Sequence, residues 1–188
     1  GGRITVRDNA AGIDTANYHR AFKTASPPPN QDGLSQFGVG MKSAACWFAR
    51  EWSVRTKALG EDVERSITFD IDTIIRDGIE TLTPEVTLAS PGTHFTEIML
   101  AGLHNPLQTR TITKIRDHLA SMYRIFLRED ILELWFNKER LTFNDPKVLV
   151  APYYKHPTSE SRLWQKDIDF DFGAGQRVHG FAAIRERG

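Results

Sequence analysis

The sequence predicts an α+β protein: a two-layer α/β sandwich followed by the opening of a second α/β domain. Three observations carry that prediction. Runs alternating polar and apolar residues with period two recur between Arg3 and Phe143, as half-buried strands require. The run Met41 to Arg50 is apolar nearly all round, the composition of a helix buried against a sheet. Between Thr111 and Phe126 the residues Ile112, Ile115, Leu119, Met122, Tyr123 and Phe126 fall at helical spacing and mark one long amphipathic helix.

In chain order, Ile4 and Val6 alternate with Arg3, Thr5 and Arg7 in a strand that ends at the turn-prone Asp8-Asn9. Asp14 or Thr15 then caps a short helix running from about Ala16 to Lys23. Residues 26–33 hold a serine, three prolines, an asparagine and a glycine, which excludes helix and central strand and leaves a loop. After the apolar helix, Trp52–Leu59 and Val63–Phe69 read as a hairpin turning at Gly60, and Thr93–Leu100 as a further strand. Past the long helix, Ile131–Phe136 and Arg140–Phe143 form a last hairpin about Asn137-Lys138, with Trp135 and Phe136 packing on opposite faces. The stretch 144–167, rich in proline, serine and charge, reads as a connector. The expected organisation is a first domain over 1–143, that connector, and the start of a second domain over 168–188. The chain opens almost directly into a strand and stops just after one, as a fragment would.

Composition narrows the function. In 188 residues, 40% hydrophobic and 26% charged, there is material for one substantial core, or one core and the start of another. Lys plus Arg equal Asp plus Glu at 24 each, so no net field draws the chain to nucleic acid or to an anionic membrane, and nucleic-acid contact rests on local patches alone. No apolar stretch approaches the roughly 20 residues that span a bilayer. The single cysteine, Cys46, has no internal partner and sits among Ala44, Ala45, Trp47 and Phe48, so it reads as a buried apolar position. These features fit a reducing, cytoplasmic location.

Three segments are candidates for chemistry. In Ile4 to Ile13, Asp8 ends a strand and is followed by small residues through Gly12. A part-shielded carboxylate there accepts from an exocyclic amino group, and small residues let a flat ring approach the backbone. Asp8 as an ordinary turn cap explains the same residues equally well. In Gly33 to Ser43, Gly38 and Gly40 directly precede a helix, whose free N–H groups and dipole favour a phosphate, with Lys42 and Ser43 adding a charge and a hydroxyl. Alone, Gly-x-Gly is weak, since glycines also punctuate loops, and neither the P-loop spacing nor Gly-x-Gly-x-x-Gly is present. The third is Pro91-Gly92-Thr93, where the Thr93 hydroxyl is placed to orient a water or an adenine nitrogen beside Asp8; a turn glycine before a β-favouring residue is the plainer reading.

In order and spacing these three segments resemble the GHKL ATPases, the superfamily of DNA gyrase, the ninety-kilodalton heat-shock chaperone, histidine kinases and MutL. Asp8 to Gly12 match that family's Asp-x-Gly-x-Gly adenine motif, Gln36 to Gly40 its glycine lid, and Gly92-Thr93 its later Gly-Thr. The string Phe37 to Ala44 looks most like the MORC and chaperone branches. The resemblance covers roughly residues 3–143 and implies the Bergerat ATP-binding fold. It implies ATP between sheet and helices, held by Asp8, Gly12 and Ile13 at the adenine, by the backbone of Phe37, Gly38, Val39, Gly40 and Met41 at the phosphates, by Lys42 for charge, and by Thr93 beside Asp8. It also implies Mg2+, lid closure, homodimerisation, protein partners, and hydrolysis to ADP in the intact protein.

Two departures qualify it. Ala10 stands where the family has its first glycine, which narrows the pocket floor by one methyl group. The family's catalytic glutamate and magnesium-holding asparagine lie on a helix before this strand, and none of the seven residues before Asp8 is either. The catalytic residues and the metal ligand therefore stay unassigned. Lys155 and Lys166 are poor candidates for the cation that touches the terminal phosphate in some branches. A protein-interaction scaffold that keeps the fold without turnover is the competing reading. His94, His104, His118 and His156 lack zinc-ligand spacing, and Arg110, Lys114 and Arg116 read as the solvated face of the long helix.

Overall fold

The computed structural model describes residues 2–23, 26–27 and 38–186. The chain divides into two compact units, Gly1–Thr109 and Arg110–Gly188.

The first unit contains strands β1 (Arg3–Asp8), β2 (Ala49–Lys57), β3 (Val63–Asp70), β4 (Glu85–Leu88) and β5 (Phe95–Leu103), with helices α1 (Thr15–Phe22), α2 (Gly40–Phe48) and α3 (Ile71–Asp77). The strands form one antiparallel sheet in the order β1-β5-β2-β3-β4. Residues directly opposite one another share a face, so the register converts the period-two pattern into rows. Ile4, Leu100, Trp52 and Phe69 form one row, and Val6, Ile98, Val54 and Ile67 the next. Most of these side chains pack with Tyr18 of α1 and Ala45 of α2 into the buried core. Trp52 stacks on Phe69 at 4.0 Å between centroids, and Phe22 and Tyr18 continue the aromatic contact into α1. The opposite face is polar. There Glu97 bridges Arg7 and Arg55, each at 3.3 Å, Arg55 reaches Glu64 at 2.6 Å, and the two guanidiniums shelter the Phe95 ring.

Helix α1 begins where expected because Asp14 caps it, accepting from the Asn17 N–H at 2.8 Å. Helix α2 corrects two expectations. It is not buried all round: Trp47 is 80% exposed, and Cys46 is exposed rather than buried. Only the stripe Met41, Ala45, Ala49, spaced four residues apart, meets the core, and the alanines bring the helix close to the sheet. Helix α3, capped by Asp70 and closed by the left-handed Gly78, and strand β4 were not anticipated. Among the described residues no helix is long and apolar enough to cross a membrane.

In the second unit the expected long helix is two: α4 (Thr109–Met122) and α5 (Arg124–Arg128), parted at Tyr123. The hairpin β6 (Trp135–Phe136) and β7 (Glu139–Arg140) turns at Asn137-Lys138, both at positive φ, as a two-residue hairpin loop demands. Leu141 beyond it is buried. Strands β8 (Val150–Ala151) and β9 (Arg162–Leu163) pair with each other, and β10 (Gln165–Gly173) pairs with β11 (Gln176–Ala183). Leu149 bonds Ile184 and Trp164 through the backbone, which joins the two hairpins.

Candidate functional site

The next row of the first sheet, on the same face as the core, is Asp8, Thr96, Thr56 and Arg65. Here the apolar rows give way to polar side chains at the sheet edge where β1 ends. Asp8 is exposed, and its Oδ1 accepts the Ala10 N–H at 3.0 Å in an Asx-turn. Its second oxygen has no donor among the described residues. The carboxylate is thus fixed by one oxygen and available through the other.

The segment after Asp8 lies against the end of β2. Ala11 O accepts from the Leu59 N–H at 2.9 Å, and the Ile13 N–H donates to Thr56 Oγ1 at 2.9 Å. Between them Gly12 has φ +76°, and a Cβ there would stand 2.1 Å from Lys57 O. Only glycine permits that approach. The wholly buried Thr56 donates to Phe95 O at 3.1 Å, and its oxygen lies 3.2 Å from Thr96 Oγ1. One hydroxyl thereby ties the segment to two strands. Thr56→Val keeps the shape but strands the Ile13 N–H, and should destabilise the fold by about 1–2 kcal/mol in chemical denaturation.

Below this row, Glu61 accepts from both the N–H and the hydroxyl of Thr15, at 2.7 and 2.8 Å, and pairs with Arg65, which also lies over the Tyr18 ring. The Arg65 hydrogen bond, then that from the Thr15 N–H, lowers the Glu61 pKa from 4.5 to about 2. A carboxylate with a depressed folded-state pKa contributes stability above its unfolded pKa and loses it as pH falls through the folded one. Thermal melts should therefore fall between about pH 4.5 and pH 2, and Glu61→Gln should flatten that part of the profile.

Thr93 lies in the turn before β5, exposed, with its hydroxyl donating to Ser90 O at 2.9 Å. The threonine opposite Asp8 is Thr96. His94, between them, places Nδ1 3.0 Å from Ala10 O and so holds the Asp8 turn from the other side. Thr56, Thr96 and Glu61 were not singled out from the sequence, and His94 drew notice only as a histidine without zinc-ligand spacing. The available signal was Thr56 continuing the alternation of Trp52 and Val54 with a polar residue.

Of the lid, Phe37 and the loop 28–36 lie outside the described residues. Gly38 has φ +64°, and a Cβ there would meet Ser26 O at 2.1 Å. Val39 is the N-cap of α2 and makes no side-chain cap, so the first N–H groups of Gly40, Met41 and Lys42 carry no capping side chain. Gly40 faces open space. Lys42 turns the other way: its Nζ donates to Ala21 O and Lys23 O, at 2.9 and 2.8 Å, closing the C-terminus of α1. Burial, then Arg20, lowers its pKa. Asp8, Gly12 and Ile13 form one cluster, and Gly38 to Met41 sit at the start of α2.

The sheet, with helices on one face and two glycine-dependent turns at its end, is a two-layer α/β sandwich. The chain belongs to the family of histidine kinase-, DNA gyrase B- and HSP90-like ATPases, whose profile matches residues 1–99. Among solved structures it is similar to the ATPase region of Saccharomyces cerevisiae topoisomerase II bound to ICRF-187 (dexrazoxane), with a TM-score of 0.53, 14% identity, and coverage of 75% of this chain and 40% of that one. It is also similar to the ATPase and transducer domains of DNA topoisomerase II from Balamuthia mandrillaris, with a TM-score of 0.53, 14% identity, and coverage of 74% and 39%. The chain thus spans about two fifths of each structure, and at this identity the likeness is one of fold. By sequence, no curated protein matches.

Proposed function

We propose that this chain binds ATP at the Asp8 end of the sheet, and that in the intact protein binding closes the lid, promotes homodimerisation and precedes hydrolysis to ADP. The observation that carries the reading is the free oxygen of an otherwise fixed Asp8 carboxylate, on a turn that the left-handed Gly12 seats against the Lys57 backbone. The carboxylate accepts the adenine amino group, and Gly12 and Ile13 lie along the ring. Thr93 is the family-matched support for that contact, and Thr96 is the hydroxyl in register with Asp8. The N–H groups from Phe37 to Met41 hold phosphate at the start of α2, with Lys42 near enough along the helix to offset charge on leaving α1. Magnesium accompanies the phosphates; the described residues hold no cluster of three acidic, histidine or cysteine side chains for it. The family membership supports binding before turnover.

Adenine presents a donor at its 6-position and guanine an acceptor, so a carboxylate discriminates between them. A non-hydrolysable ATP analogue at 100 times its Kd should stabilise the fold by about 2.7 kcal/mol, read as a rise in melting temperature. The guanine analogue at the same concentration should give none. Equal shifts from both would count against Asp8 as the base-reading group.

A further inference from the structure

The second unit carries a basic and aromatic cluster that the nucleotide site does not use. From Arg162 to Lys166 the chain is nearly extended, so Arg162, Trp164 and Lys166 share one face, whereas Asp167, Asp169 and Asp171 point to the other. The Arg162 guanidinium lies 4.2 Å from the Trp164 ring centroid and 5.6 Å from that of Tyr153. Trp164 is itself held in place, its Nε1 donating to Ala151 O at 2.9 Å. Beside it Tyr153 meets Tyr154 edge-on at 4.9 Å, and Tyr154 is 73% exposed with Lys155 Nζ 5.7 Å from its ring. Residues Arg162–Lys166 and Ala182–Ile184, paired through their backbones, together line a shallow groove. Arg177, by contrast, is engaged by Asp169 at 2.6 Å.

Among the described residues Lys155, Arg162 and Lys166 have no carboxylate partner. A guanidinium laid on an indole keeps its N–H edge free, in a fixed orientation and with reduced side-chain entropy to lose, which suits a phosphate oxygen. An exposed tyrosine beside it supplies a face on which a base stacks. Cations tracking a backbone with aromatic rings between them are the elements of sequence-tolerant single-strand binding. We propose that this face, built by Tyr154, Lys155, Arg162, Trp164 and Lys166, binds single-stranded nucleic acid. The neutral net charge of the chain does not oppose this, because screening confines the interaction to the local cluster. The site lies wholly in the second unit and stands apart from the nucleotide reading.

The test uses the full chain and a fluorescein-labelled 20-nucleotide DNA of mixed sequence, followed by anisotropy at 50 mM salt and above. Saturable binding is expected. The logarithm of the association constant should fall with the logarithm of salt at a slope of about −2, from three cations at about 0.7 each. Tyr154→Ala, at an exposed position whose loss spares the core, should weaken binding about tenfold through lost stacking. The pair Arg162→Gln and Lys166→Gln should weaken it further and bring the slope to about −0.7, with circular dichroism confirming an unchanged fold. No anisotropy change at 50 µM protein would overturn the proposal, as would unaltered affinity in all these variants. Binding of polyglutamate in place of the oligonucleotide would overturn it in favour of an acidic protein partner. A duplex bound as tightly as the single strand, with Tyr154→Ala without effect, would overturn the stacking role and with it the single-strand assignment.

Discussion

Asp8→Asn is expected to weaken ATP binding about 100-fold while leaving the unliganded protein nearly as stable as the wild type. The two halves of that expectation come from the two carboxylate oxygens. One accepts the Ala10 N–H, a bond that an asparagine oxygen reproduces, since Asn favours the same Asx-turn. The other becomes an amide NH2 and meets the adenine amino group donor to donor. A hydrogen bond to a charged acceptor contributes roughly 1.5–3 kcal/mol, and its loss with the added mismatch gives the stated change. Titration calorimetry gives the ratio of dissociation constants, and melting curves without nucleotide give the stability. An unchanged Kd would remove Asp8 from the site; a collapse of the unliganded fold would make it a structural cap.

Gly12→Ala should destabilise the fold strongly. The new Cβ meets Lys57 O at 2.1 Å and Ala58 Cα at 2.9 Å, backbone atoms of the last residue of β2 and the residue after it, at a φ of +76°. Neither can swing aside as a side-chain end would. Left-handed strain and overpacking together give about 3 kcal/mol, a drop in melting temperature on the order of 10 °C. Relief of the clash lifts residues 11–13 from β2, so ATP binding should be lost in parallel. Gly40→Ala is the control: nothing lies within 4 Å of its Cβ position and its φ is not positive, so the unliganded fold should be unaffected or slightly more stable, as helix propensity favours alanine.

Where its signals are local, the fold was legible in the sequence. Period two identified β1, β2 and β3, the Asp14 cap placed the start of α1, and Asn137-Lys138 marked a turn whose two positive φ values the structure shows. Helix α2 was misread because its apolar residues outnumber those its neighbours cover. Periodicity finds a face only when the other face is polar, and here Cys46, Trp47 and Phe48 hide the narrow stripe of Met41, Ala45 and Ala49. The break at Tyr123 leaves no such mark, since Tyr123 and Leu127 still bond back four residues to Leu119 and Tyr123.

At the site the sequence located Asp8 and the glycines, whose roles depend on their own backbone. It did not locate Thr56, Thr96 or Glu61, whose roles depend on strand register and on a contact 46 residues away. A Gly-Thr pair before a strand says that a threonine is near the edge. Only the pairing of β1 with β5 says that Thr96 stands opposite Asp8 while Thr93 bonds its own turn.

ATP binding by this chain itself, through the Asp8 end of its sheet, is the proposal on which turnover and dimerisation depend. Calorimetric titration of the wild-type chain with a non-hydrolysable ATP analogue tests it most directly. A saturable isotherm with one site per chain is expected, and the same titration of Asp8→Asn should show a Kd about 100-fold weaker. Absence of heat at millimolar nucleotide, together with an unmoved melting temperature, would contradict it.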